Sequence, residues 1–159
     1  MDDIYFMKKA LLQAKRAEKI GEVPVGAVIV KDGKVIARGY NRRESLQMAT
    51  VHAEHIAIQK ACKKLGSWRL TGCTLYVTLE PCIMCTGAIV NARPDRVVIG
   101  TQDKKAGGMG GLTDILSLPV NHRPEVEFGV LQEECSGIIK NFFKQLRKGP
   151  DYKKSGRGI

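Results

Sequence analysis

Two short fragments hold the residues that could do chemistry. His52-Ala53-Glu54 supplies an imidazole and a carboxylate, and Pro81-Cys82-Ile83-Met84-Cys85 supplies two thiols. Cys82 and Cys85, at i and i+3, share one face of a helix. In a helix's first turn they favour the thiolate form, because the helix dipole and free N–H groups stabilise negative charge there. Two thiolates and one imidazole make three zinc ligands and leave the fourth tetrahedral position to water, the catalytic rather than the structural pattern. Glu54 gives that open position a purpose. A carboxylate within hydrogen-bond reach of a metal-activated water can accept its proton and hand it to a substrate. The rival reading of Cys82 and Cys85 is a cytosolic redox pair; the paired His-x-Glu, separated from Pro81 by residues 55–80, turns the balance towards zinc. His55 could reach the same metal, but three ligands suffice, so it reads as a helix-surface or packed residue. His122, beside Asn121 in a loop, is the better candidate for substrate contact.

The spacing also sets a geometric condition. Residues i and i+2 on an ideal helix point about 200° apart at 3.6 residues per turn. His52 and Glu54 therefore share a pocket only if they project past the helix's N-terminal end, which Thr50 as N-cap would arrange. The pocket is predicted where the starts of two helices converge, next to strand ends.

The elements that would position these fragments follow from periodicity. Residues 4–20 place Phe6, Ala10, Leu11, Ala14 and Ala17 on one face of a helix entered at Asp2 or Asp3 and stopped at Gly21. Lys31-Asp32-Gly33-Lys34 between two β-branched runs predicts a hairpin. Asn41 to Ala49 reads as an irregular loop, and a second helix runs to Leu65 and closes at Gly66. Thr74 to Leu79 is a strand, Pro81 suits the first turn of a third helix, and Arg96 to Gly100 is another strand. Gly107-Gly108-Met109-Gly110-Gly111 reads as a flexible loop, Leu112 to Leu118 as a short helix, Val126 to Phe128 as a fifth strand, and Ile138 to Leu146 as a basic amphipathic helix. The alternation implies an α/β fold, a three-layer α/β/α sandwich around a mixed five-stranded sheet.

Length and charge bound the rest. The 159 residues suit one domain, read as 1–148 with a basic tail over 149–159. Hydrophobic residues at 43% and charged residues at 26% exclude disorder, collagen and coiled coil. No apolar run approaches the ~18 residues of a membrane span. The acidic start before Lys8 and Lys9 is the reverse of a secretory signal, so a cytoplasmic protein is expected. Five cysteines, an odd number, argue against a disulfide framework. The net charge of +10 is uneven, with +6 in the last 20 residues, and suits a polyphosphate partner, most often nucleic acid.

His-x-Glu with Pro-Cys-x-x-Cys is the zinc deaminase signature, and the chain resembles the bacterial tRNA-specific adenosine deaminases from about residue 4 to Lys148. The likeness extends through Gly21 to Ala27, Gly39-Tyr40-Asn41, Leu75 to Cys82, Asp103-Lys104-Lys105, Asn121-His122-Arg123, Glu134-Cys135 and Asn141-Phe142-Phe143. It implies a cytidine deaminase-like fold, a homodimer, one zinc per subunit and conversion of the wobble adenosine of tRNA to inosine. It also implies that His52, Cys82 and Cys85 hold the zinc and that Glu54 shuttles protons. By the same resemblance Asn41, Ala53, Leu79 and Asn121 would line the pocket for a flipped base. Asp103 and Lys105 would meet the neighbouring nucleotide backbone, and Phe142, Phe143 and Arg147 the anticodon loop. Two rivals stand beside this reading: a deaminase of free guanine or cytosine, towards which Arg93-Pro94 leans, and a non-catalytic zinc-stabilised RNA-binding module, against which Glu54 argues.

Overall fold

A computed structural model describes residues 2–149. The chain opens with helix α1, Asp3–Lys19, whose N-cap Asp2 accepts the Ile4 N–H at 2.9 Å. Strands β1 (Gly26–Lys31) and β2 (Lys34–Tyr40) follow as an antiparallel hairpin. Asp32 and Gly33 both hold positive φ, 50° and 73°, as a two-residue turn between right-twisted strands requires. A single-turn helix α2 (Arg43–Leu46) leads to α3 (Ala53–Leu65), then β3 (Cys73–Leu79), α4 (Ile83–Ala92) and β4 (Arg96–Thr101). A 3-10 turn at Ile115–Ser117, β5 (Glu125–Phe128) and α5 (Gln132–Arg147) are the last elements among the described residues.

The sheet order is β2-β1-β3-β4-β5, with β1 antiparallel to both neighbours and β3, β4 and β5 parallel. One face buries Ile29, Leu75, Val77, Val97 and Ile99 with Ala53, Ala57 and Ala61 of α3 and Ile89 of α4. The other buries Val28, Val30, Tyr76 and Val98 with Phe6, Met7 and Ala10 of α1 and Cys135 of α5. These are the three layers and the mixed five-stranded sheet that the sequence predicts. Parallel strands place loops and helix starts together at their C-terminal ends, where α/β folds build sites.

Five local expectations are corrected. The stretch after Asn41 is not wholly irregular: α2 forms there because the buried carboxylate of Glu22 accepts the N–H groups of Glu44 and Ser45. Helix α3 is not capped by Thr50; its N-cap is His52. Helix α4 starts at Ile83 with Cys82 as N-cap, so Pro81 lies outside the first turn. Residues 112–118 hold only the short 3-10 turn, and α5 starts six residues earlier than periodicity indicates. The expected tail over 149–159 lies, apart from Gly149, outside the described residues. No helix among the described residues is long and apolar enough to cross a membrane.

Candidate metal centre and active site

Each ligand fragment sits at a helix start. Strand β3 carries Leu79 and Glu80 to its C-terminal end, Pro81 turns the chain, and Cys82 enters α4 with extended backbone (φ −68°, ψ 176°). Its sulfur takes the place of a capping hydroxyl and accepts the Cys85 N–H at 3.5 Å. His52 enters α3 in the same way, at φ −92° and ψ 158°. Because it is extended, its ring leaves the helical spiral and turns towards the cysteines. The 200° separation from Glu54 does not arise. The capping role passes to Asn41, whose Oδ1 accepts the Ala53 N–H at 2.9 Å while its Nδ2 donates to the Val23 carbonyl at 3.1 Å. Gly39 lets α3 settle this low on β2, since a Cβ there would collide with the Ala53 carbonyl.

The outcome is a tight triangle. His52 Nδ1 lies 3.7 Å from Cys82 Sγ and 3.6 Å from Cys85 Sγ. The three ligand atoms all fall within 4.8 Å of one another, a group able to hold a metal ion. Glu54, 3% exposed, stands beside them at the start of α3. Burial pushes its carboxyl up to about 7, partly opposed by the His52 charge. The Cys82 thiol is pulled down to about 4 by the hydrogen bond from Cys85 and, with burial working against it, by the bond to His52. Cys85 is pushed up because it donates to Cys82 and is buried. His52 is raised by its bond to the Cys82 sulfur. A buried acid–base group beside a preformed ligand triangle can bind a metal and relay protons.

The other predicted residues divide between two ends of the sheet. Asn41, Ala53 and Leu79 lie at the ligand end. Asp103 and Lys105 are there too, in the loop that leaves the C-terminal end of β4. Asn121 and His122 are not. The His122 ring bonds the Pro94 carbonyl at 2.6 Å, in the turn that feeds the opposite, N-terminal end of β4. Phe142 and Phe143 pack edge to face at 5.4 Å, half-buried, two turns beyond Cys135 on α5, and Arg147 is exposed at that helix's last residue. His55 is half-buried on α3 and outside the ligand group.

Three residues at the site went unpredicted. Glu80 and Glu22 are buried carboxylates, 3% and 2% exposed, bonded to main-chain N–H groups of the loop after β4 and of α2 respectively. Arg42, beside Asn41, has a buried Nε with no hydrogen-bond partner and its guanidinium 6.0 Å from the Tyr40 ring centre. A charged residue at the end of an apolar strand was the only signal for Glu80.

A three-layer α/β/α fold with His-Cys-Cys ligands and an adjoining buried glutamate defines a metal-dependent deaminase class of site. Residues 1–147 match the MafB19-like deaminase family. A tRNA-specific adenosine deaminase of Bacillus subtilis (strain 168) is 53% identical over 148 residues, 92% of this chain and 91% of that protein. Another of that name from Aquifex aeolicus (strain VF5) is 50% identical over 144 residues, 90% and 95% of the two chains. A structure from a study of A-to-I editing by tRNA:A34 deaminases at the wobble position of transfer RNA aligns with a TM-score of 0.80 at 45% identity. It covers 84% of this chain and 98% of that one. The chain belongs to the MafB19-like deaminases and, within them, to the family of the tRNA-specific adenosine deaminases.

Proposed function

We propose that this protein deaminates the wobble adenosine of a tRNA to inosine with one zinc ion per subunit. The ligand triangle carries the reading. A tetrahedral zinc with Zn–S of about 2.3 Å and Zn–N of about 2.0–2.1 Å has sulfur–nitrogen edges of about 3.6 Å, and the two edges at His52 Nδ1 are 3.7 and 3.6 Å. Zinc held by His52, Cys82 and Cys85 would supply a water activated at neutral pH.

The chain's own residues supply the proton traffic and the positioning. Glu54 accepts a proton from the water that adds at C6 and places it on N1 of the adenine. It then carries the second proton to the departing amino group. The balance is adenosine plus water to inosine plus ammonia. Asn41 holds the start of α3, and so Glu54, in place through Ala53. A loop nucleotide is already unpaired, which lowers the cost of presenting its base. Lys105, exposed on its loop, suits the adjoining phosphates.

The working unit in this reading is a homodimer in the cytoplasm, where tRNA is. Helix α4 supports the dimer: Ile83 is 48% exposed, and a Cβ on Gly87 would meet nothing within 4 Å. Asn121 and His122 lie at the sheet end away from their own ligand triangle, so a second copy is what would bring them to an RNA bound there.

The test is an inosine assay on an anticodon stem-loop with A at the wobble position, with guanine and cytosine in parallel. Conversion of the RNA is expected, and Glu54→Ala should lower turnover by about 10²–10⁴-fold while retaining zinc and RNA binding. Turnover retained in that variant sinks the proton relay. Ammonia from guanine or cytosine with the RNA unchanged overturns the substrate.

A further inference from the structure

The carboxylate of Glu80 needs an explanation that the deamination chemistry does not give. A buried charge is costly unless it is paired and hydrogen-bonded. Glu80 meets that cost with main-chain donors: Oε1 accepts from Asp103 N at 3.1 Å, and Oε2 from Met109 N and Gly111 N at 2.9 Å each. One side chain thereby gathers both ends of the 103–111 loop. The loop is also tied to the ligand turn directly, by Gly108 N to the Pro81 carbonyl at 2.8 Å and by a β-bridge between Gly107 and Cys82.

The glycine-rich stretch, read from sequence as flexible, is what lets the chain close on the carboxylate. A Cβ at Gly107 would strike the Glu80 carboxylate, one at Gly111 the Asp103 carbonyl, and one at Gly108 would lie 2.6 Å from Thr86 Oγ1. Further out, Asp103 Oδ1 accepts from Lys105 N at 3.0 Å and Ala106 N at 3.2 Å, shaping the turn that displays Lys105. The bonds run without a break from Glu80, two residues before a metal ligand, through Asp103 to the exposed lysine.

We propose that Glu80 is a positioning residue for RNA, fixing the Asp103–Lys105 turn relative to the ligand triangle so that the flipped base and its neighbouring phosphate are engaged together. This rests on the reading above that Lys105 contacts the RNA. Glu80 touches no reacting atom in this account. Its loss is expected in substrate binding rather than in the chemical step.

The test is a double-mutant cycle on the zinc-loaded enzyme, reading KM for the stem-loop across a salt series, with kcat and bound zinc. Lys105→Ala should raise KM several-fold and make log KM less steep in log salt by about one phosphate contact, about 0.7–0.9. Glu80→Gln turns an amide N–H2 towards at least one of the three main-chain donors. It should give a similar rise in KM and a similar loss of slope, with kcat within about threefold and zinc unchanged. The double variant should then be within about twofold of Lys105→Ala alone. Additive effects, an unchanged salt slope in Glu80→Gln, or lost kcat at unchanged KM each overturn the proposal while a normal Lys105→Ala response leaves the RNA reading intact. A silent Lys105→Ala removes that reading and the proposal with it. Should Glu80→Gln fail to fold, Gly111→Ala drives a methyl group at the Asp103 carbonyl and should raise KM in the same way. Gly137→Ala on α5, where a Cβ meets nothing within 4 Å, serves as its control. An unchanged KM in Gly111→Ala overturns the proposal.

Discussion

The two ends of the parallel strands are held by different kinds of bond. At the C-terminal end, buried or half-buried side chains grip main-chain N–H groups. Glu80 takes three, Glu22 takes two, Asn41 takes Ala53, and the Cys82 sulfur takes Cys85. At the N-terminal end, accessible side chains reach one another or a carbonyl. Arg96 pairs with Asp3 and with Glu127, His122 bonds Pro94, and Arg123 bonds the carbonyls of Leu116 and Leu118. A bond to a buried charge is costly to break, because the orphaned group cannot turn to water. A pair that solvent still reaches, such as the half-buried Arg96–Asp3 fork, loses less when broken and is weakened by salt. The end that carries the His52, Cys82 and Cys85 triangle uses the first kind.

That contrast is open to attack from both sides. The largest effect is expected at the triangle itself: Cys85→Ala should lose stoichiometric metal and with it all turnover above background, by elemental analysis and the inosine assay. An intermediate effect is expected at Glu22. Glu22→Ala strands the Glu44 and Ser45 N–H groups and should lower unfolding free energy by about 1–3 kcal/mol, seen in urea titration, with Asn41 and the start of α3 loosened in hydrogen exchange.

The smallest effect is expected at the other end. Asp3→Asn keeps an oxygen for Tyr76 and Arg96 but removes the charge of a half-buried fork, so it should cost about 1 kcal/mol, less in high salt. Its pH dependence has a definite sign. The hydrogen bond from Arg96 holds the Asp3 carboxyl below its usual 3.8. The stabilisation is therefore fully present above that value and is lost as pH falls through the lower, folded-state value. Melting curves of parent and variant should differ by a constant amount above about pH 5 and converge in stronger acid. A Glu22 variant milder than Asp3→Asn would undo the comparison.

The zinc-deaminase motifs and the hairpin were legible because their signals are local. Cys82 and Cys85 are three apart, His52 and Glu54 two apart, and Asp32-Gly33 is a turn by its own backbone preference. The condition that His52 and Glu54 meet past a helix end was legible too, as a matter of helix geometry. Its agent was not. Thr50 is the local cap by residue type, whereas the cap that forms comes from Asn41, held in place through β2 and Gly39. Helix α2 and the glycine loop were missed for the same reason. Each is organised by a carboxylate more than twenty residues away in sequence, and neither has an apolar period of its own. The division of Asn121 and His122 from the ligand triangle is a property of strand direction, which no residue type announces.

The sheet order leaves two open edges, and their charges are opposite. Strand β2 exposes Lys34 and Arg38, while the four-residue β5 exposes Glu125 and Glu127. Two copies approaching edge to like edge meet their own charge, which opposes pairing of β2 with β2 and of β5 with β5. Protection of this kind matters most when many copies are made at once, and a substitution such as Glu125→Val would remove it from the shorter edge without touching the catalytic end.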